Sequence, residues 1–260
     1  MIAGSAPTER ILISPFAVAI MLGSLAGLVW LGQADDRGAR TRSTGKRLAS
    51  VDRVDGGLIS LGAGLIGARA GFVLTHWWYY TSHPWESLWF WQGGLSLMGG
   101  AIGATAGLSL YAAACRRPFW TLADSLALPV ALFSTSAWIG CLLDGCAYGR
   151  RASFGLFTPT SPDLLGNLAQ RWPTQTLGAL LGIAVLALLL VYDRRKPRPG
   201  AKACLAVTLL SGGSLALEFL RADPAPVLAG LRLEALGAGA FMAAGIIGLA
   251  WHGMNRNQEG

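Results

Sequence analysis

Long apolar runs separated by short charged segments dominate the chain. From Ile11 to Gly32 there are 22 residues without a charge. At about 1.5 Å of rise per residue, a helix of that length crosses the roughly 30 Å hydrocarbon core of a bilayer. Comparable runs follow at about 57–80, 88–115, 119–143, 174–192, 203–220 and 233–251. The pattern predicts an all-α membrane protein with about seven transmembrane helices. It forms a single polytopic domain over 1–260, with an extended outer loop at about 144–173. The first run is longer than the roughly 7 to 15 apolar residues of a signal peptide and reads as a retained span.

Composition agrees: 53% of residues are hydrophobic and 13% charged, and the mean hydropathy is +0.46. Charge then orients the spans. The segments 33–55, 116–118, 193–202 and 252–260 share one side and hold 14 Lys and Arg, against six on the other side, with Arg69 inside a span. Positive charge favours the cytoplasm, so the amino terminus is expected outside and the carboxyl terminus inside. The net charge of +7 is explained by these loops lying against anionic lipid and requires no nucleic-acid partner. Four cysteines are too scattered for a disulfide framework. His76, His83 and His252 are the only histidines, a poor basis for a metal site. No cofactor is expected.

Ionisable groups inside spans are expensive and mark candidate sites. Arg69 lies among small residues in the second run. It reads either as one half of a pair with Asp124 or Glu218, or as a cation facing a polar cavity for an anionic lipid head group. Glu218 and Arg221 are three apart, on one helix face. The third run opens with Trp89, Phe90 and Trp91 and then has five glycines within eleven residues, among them Gly94, Gly99 and Gly100. Such glycines serve a close helix crossing or broken backbone beside a wet cavity. At the end of the fourth run, Asp144, Arg150 and Arg151 flank Gly145 and Gly149. Several cations at one membrane surface suit a phospholipid phosphate. Cys141 and Cys146, five apart, would sit about 140° apart on an unbroken helix. A break near Gly145 would bring them together. A redox pair, a structural disulfide and independent packing all remain open.

These segments resemble the bacterial prolipoprotein diacylglyceryl transferase family from about residue 58 to 245. The matching stretches are Gly67–Leu74, Trp91–Gly100, Gly140–Arg150, Arg171–Gln175, Arg195–Pro199 and Glu218–Arg221. The resemblance implies a seven-span enzyme of the bacterial plasma (inner) membrane. Such an enzyme transfers diacylglycerol from phosphatidylglycerol to the cysteine thiol of a lipobox-containing prolipoprotein. It implies Asp144, Arg150 and Glu218 as catalytic candidates. Head-group contacts would come from the cations Arg69, Arg171 and Arg221, and from Gly94, Gly99, Gly100, Gly145 and Gly149. The pattern departs from the family at Met98, where a histidine is expected, and at Trp138 and Ser214, where arginines are. Cys141 and Cys146 replace an asparagine and an acidic residue. Met98 cannot accept a proton as histidine does, and Asp144 is the nearest substitute base. Two other functions compete with transfer: a lipid-binding or accessory protein on the same scaffold, and a thiol oxidoreductase or small transporter using the cysteine pair.

Overall fold

The computed structural model describes residues 14–33, 48–90, 93–152, 158–162 and 167–254. Seven of its helices are long and apolar enough to cross a membrane. They are α1 (Pro15–Gln33), α2 (Ser50–Thr75), α4 (Leu97–Ala114), α5 (Phe119–Asp144), α6 (Thr174–Asp193), α7 (Ala201–Glu218) and α8 (Leu233–Met254). The short α3 (Trp77–Ser82) and a 3-10 turn (Pro84–Leu88) link α2 to α4. Two hairpins complete the order, β1 (Thr160–Pro162) with β2 (Leu168–Gln170), and β3 (Val227–Leu228) with β4 (Leu231–Arg232). The chain is a multi-pass, all-α membrane protein.

Two helix starts differ most from expectation. The second span begins at Ser50, seven residues early, because its charges are satisfied locally. Asp52 binds Arg117 at 2.8 Å, and Arg53 donates to the carbonyls of Leu31 and Leu48. The third span begins at Leu97 and not near residue 88. Gly93 and Gly94 have φ of +88° and +71°, left-handed values that end regular helix and that glycine adopts without steric cost. Residues 11–13 of the first run and the connection 34–47 lie outside the described residues.

Apolar side chains face outward along the bundle, as lipid contact requires. Met21, Leu22, Ile66, Leu110 and Ile247 are each more than half exposed. Packing inside relies on small residues. A methyl group on Gly67 of α2 would come within 2.5 Å of the Gly99 carbonyl oxygen and 2.8 Å of the Gly103 Cα. The glycines of the third run therefore serve a backbone-to-backbone crossing of α2 and α4. At one end of the bundle, here the aromatic end, lie Trp77, Trp78 and Trp85, all exposed. The opposite, cationic end carries Arg116, Arg117 and Arg194–Arg198. There Asp124 of α5 accepts from the Gly200 and Ala203 amides at 2.7 and 2.8 Å and caps α7.

Candidate functional site at the aromatic end

Helix α5 ends at Gly145 with φ of +73°, a left-handed stop for which glycine is suited. Across that stop Cys141 and Cys146 are joined by a disulfide, so the helix break reunites the two thiols and independent packing is excluded. The N-terminus of α6 then grips the chain: Gln175 Nε2 donates to the Cys146 carbonyl at 2.9 Å, and Thr174 Oγ1 to the Ala147 carbonyl at 2.6 Å. Past this clamp, residues 148–152 run between two antiparallel neighbours. Gly149 bridges to Arg221, and Arg151 to Arg171. The Arg150 amide donates to Leu220 at 2.8 Å, and its carbonyl accepts from Trp172 at 3.0 Å. A side chain at 149 would collide with the Trp172 carbonyl, which explains the glycine.

This ribbon sorts the arginines. Arg171 is buried, its guanidinium lying 4.7 Å from the centre of the Tyr148 ring. Arg150 is exposed, and among the described residues its guanidinium makes one hydrogen bond, from Nε to the Arg221 carbonyl at 3.3 Å. Its two terminal nitrogens make no hydrogen bond to another described residue. Arg221 sits in a closed charge cluster, bonded to Glu218 and to both carboxylate oxygens of Asp223. Arg232 completes the cluster, reaching Glu218 at 2.6 Å and the Asp223 side chain at 3.2 Å. Burial pulls the Arg221 pKa down, but Asp223 and Glu218 outweigh it and hold the value above the ordinary one. Two acids and two cations neutralise each other there. The Glu218–Arg221 pair read from the sequence is present, with Asp223 and Arg232 added.

Arg69 pairs with neither Asp124 nor Glu218, which corrects the carboxylate-pair reading. Its guanidinium instead binds four main-chain carbonyls: Glu86 at 2.5 Å, Gly93 at 2.7 Å, Ser87 at 2.8 Å and Gly94 at 3.1 Å. The rings of Tyr80 and Phe72 flank it at 5.4 and 5.9 Å. Arg69 thus ties the link between α2 and α4 to the bundle, and a groove lined by Val73, Trp77, Tyr80 and Pro84 opens beside that link. Asp144 makes no ion pair with these cations among the described residues. Its carboxylate accepts from the Phe16 amide at 3.0 Å and caps the start of α1.

One carboxylate escaped sequence reasoning. Glu234, in the first turn of α8, accepts from the Ser96 hydroxyl at 2.9 Å and from the Met98 amide at 3.0 Å. Ser96 is the N-cap of α4 and also accepts from the Gly99 amide at 3.2 Å. An acid inside the final apolar run, two residues after Arg232, was the available signal. Among the described residues, no group of His, Cys, Asp and Glu is arranged to hold a metal ion.

The family model for prolipoprotein diacylglyceryl transferase matches residues 8–251. The chain belongs to this family. Three similar relatives carry the name phosphatidylglycerol–prolipoprotein diacylglyceryl transferase. One from Symbiobacterium thermophilum is 29% identical, covering 89% of this chain and 86% of the relative. One from Nostoc is 32% identical over 71% and 68% of the two chains, and one from Azoarcus is 36% identical over 62% and 61%. Within this transferase scaffold, three of the departures from the family pattern, Met98, Trp138 and Ser214, are visible as packing. The Met98 side chain lies against Gly237 of α8, where an added Cβ would meet its sulfur at 2.7 Å. Trp138 lies so close on Gly178 of α6 that any side chain there would clash. Ser214 sits half-buried in α7 beside Gly213, which packs on Leu181. At Met98 and Trp138 apolar contacts fill places that the family pattern gives to polar groups.

Proposed function

We propose that this protein transfers a diacylglyceryl group from phosphatidylglycerol to the cysteine thiol of a prolipoprotein, at the outer leaflet of a bacterial plasma membrane. The observation that carries the reading is the family match, which spans the whole helical bundle. The geometry at the aromatic end supports it. A thiolate attacking the glycerol carbon displaces a phosphate whose leaving oxygen gains negative charge, and preorganised donors facing that oxygen lower the barrier. Arg150 presents its terminal nitrogens in the fork that matches a phosphate, with Arg151 exposed beside it. Arg171 and Arg221 act from beneath, holding the ribbon that aims Arg150. Arg69 supports the neighbouring link, with the groove beside it facing the lipid.

The orientation belongs to the same proposal. The cationic end faces the cytoplasm by its Lys and Arg excess, and the disulfide at the aromatic end suits an oxidising exterior. Purified protein in phosphatidylglycerol vesicles with a lipobox cysteine peptide tests the activity. The peptide is expected to gain the mass of a diacylglyceryl group while glycerol phosphate is released.

A second reading, a lipid-binding protein without turnover, is favoured by one observation, the apolar packing of Met98 and Trp138. Lipid bound with an unmodified peptide would select it. Arg150→Ala separates the two, because it lowers transfer in an enzyme and has no transfer to lower in a binder.

A further inference from the structure

We propose that Glu234 is the group that takes the proton from the attacking thiol. The inference rests on the transferase reading above. Among the described carboxylates at the aromatic end, Glu218 and Asp223 are locked between Arg221 and Arg232. Asp144 caps α1, and Glu86 accepts from the Tyr79 hydroxyl at 2.6 Å on the exposed link. Glu234 differs from Glu218 and Asp223 in having no cation partner among the described residues, and from the exposed Asp144 and from Glu86 in standing where two membrane-spanning helices begin. Its charge is met only by neutral donors, the Ser96 hydroxyl and the Met98 amide.

A carboxylate between two membrane-spanning helices without a counter-ion is expensive, and a functional role is the default reading for it. Two helix starts make it tolerable. The positive ends of α4 and of its own helix α8 converge on it. Each oxygen uses one acceptor position and keeps another for an incoming proton. The Met98 side chain turns onto Gly237, one turn further along α8, and its thioether cannot serve as a base. The charged groups around Glu234 are already engaged. Arg232, two residues earlier, is held by Glu218 and Asp223. Arg69 follows Ala68, whose carbonyl takes the Ser96 amide, and is spent on the four carbonyls of the link.

The step balances without a further reactant. The S–H proton passes to a Glu234 oxygen, and the sulfur lone pair forms the C–S bond to the glycerol carbon bearing the phosphate. The C–O bond breaks with its electron pair remaining on the phosphate oxygen. The proton held by Glu234 then moves to that phosphate, which leaves as glycerol phosphate, and the carboxylate is restored.

The test compares wild type, Glu234→Gln and Glu234→Asp in phosphatidylglycerol vesicles, with lipobox peptides carrying either cysteine or selenocysteine. A selenol is ionised at neutral pH and needs no base. With cysteine, Glu234→Gln is expected to lose about a hundredfold or more in rate, the scale of a missing general base. With selenocysteine the loss is expected to shrink to a few fold. Equal losses with both acceptors would make Glu234 a structural cap and overturn the proposal. So would a pH–rate limb that responds to His76→Gln and not to Glu234→Gln. Should Glu234→Gln fail to fold, Glu234→Asp carries the same comparison, because its displaced carboxylate must also be relieved by selenocysteine. Wild type that transfers to neither peptide defeats the transferase reading itself, a result distinct from an active wild type with an indifferent Glu234.

Discussion

Arg69 shows how a buried cation is accommodated without a counter-charge. Four carbonyls receive its guanidinium in a fixed fork, and a lysine ammonium has neither the planarity nor the reach to replace it. Arg69→Lys should therefore lower stability by about 2–4 kcal/mol, since several charge-assisted bonds are lost together. Thermal unfolding in detergent checks the size, and faster proteolysis within 77–96 checks the location. The sequence marked Arg69 as needing a partner and named two carboxylates. The carboxylate alternative fails, and neither it nor the alternative of an anionic head group pointed to main-chain carbonyls, which leave no residue-type signature. Glu218 with Arg221 was legible for the opposite reason, as opposite charges three residues apart on one helix. Asp144 looked catalytic because it stands among arginines in sequence, while in space it meets the amide of Phe16 at the far end of the chain.

At the scale of elements, the apolar runs located all seven spans, since lipid leaves few alternatives to a helix. Their ends were less legible. The start of α4 depends on left-handed glycines, and the start of α2 on a long-range ion pair between Asp52 and Arg117. The crossing of α2 and α4 gives a paired prediction. Gly67→Val should cost more than about 3 kcal/mol, because an added Cβ already meets backbone at 2.5 and 2.8 Å and backbone cannot step aside. Gly62→Ala in the same helix meets nothing within 4 Å and should be neutral or stabilising by up to about 1 kcal/mol. Melting temperatures of the two variants measure the contrast. The disulfide gives another. The ring 141–146 contains Asp144, bound to α1, and leads directly into the ribbon bearing Arg150. The double substitution Cys141→Ser, Cys146→Ser removes a short closed loop and should cost about 2 kcal/mol. If the ribbon aims Arg150, the same variant also weakens retention of phosphatidylglycerol. Unchanged lipid retention would separate the clamp from the site.

For the whole molecule, the native cysteines report the arrangement of every span. Seven helices crossing in turn place Cys115, exposed at the end of α4, on the opposite side from Cys141 and Cys146 at the end of α5. Cys204 is buried in α7, so one accessible free thiol remains to be labelled among the described residues. With the cationic end in the cytoplasm, a membrane-impermeant maleimide should label the protein in inside-out vesicles and leave it unlabelled in intact cells. Reduction before labelling should then add two sites in intact cells, as the outer disulfide opens. The two halves constrain each other, because one set of spans fixes both ends. Labelling of Cys115 from outside would put the arginine-rich loops in the wrong compartment and the disulfide in a reducing one. It would also move Arg150 and Glu234 away from the leaflet where an exported lipoprotein meets its lipid donor. A reversed label would thus remove the orientation and the proposed reaction together, whereas the seven-helix bundle would stand.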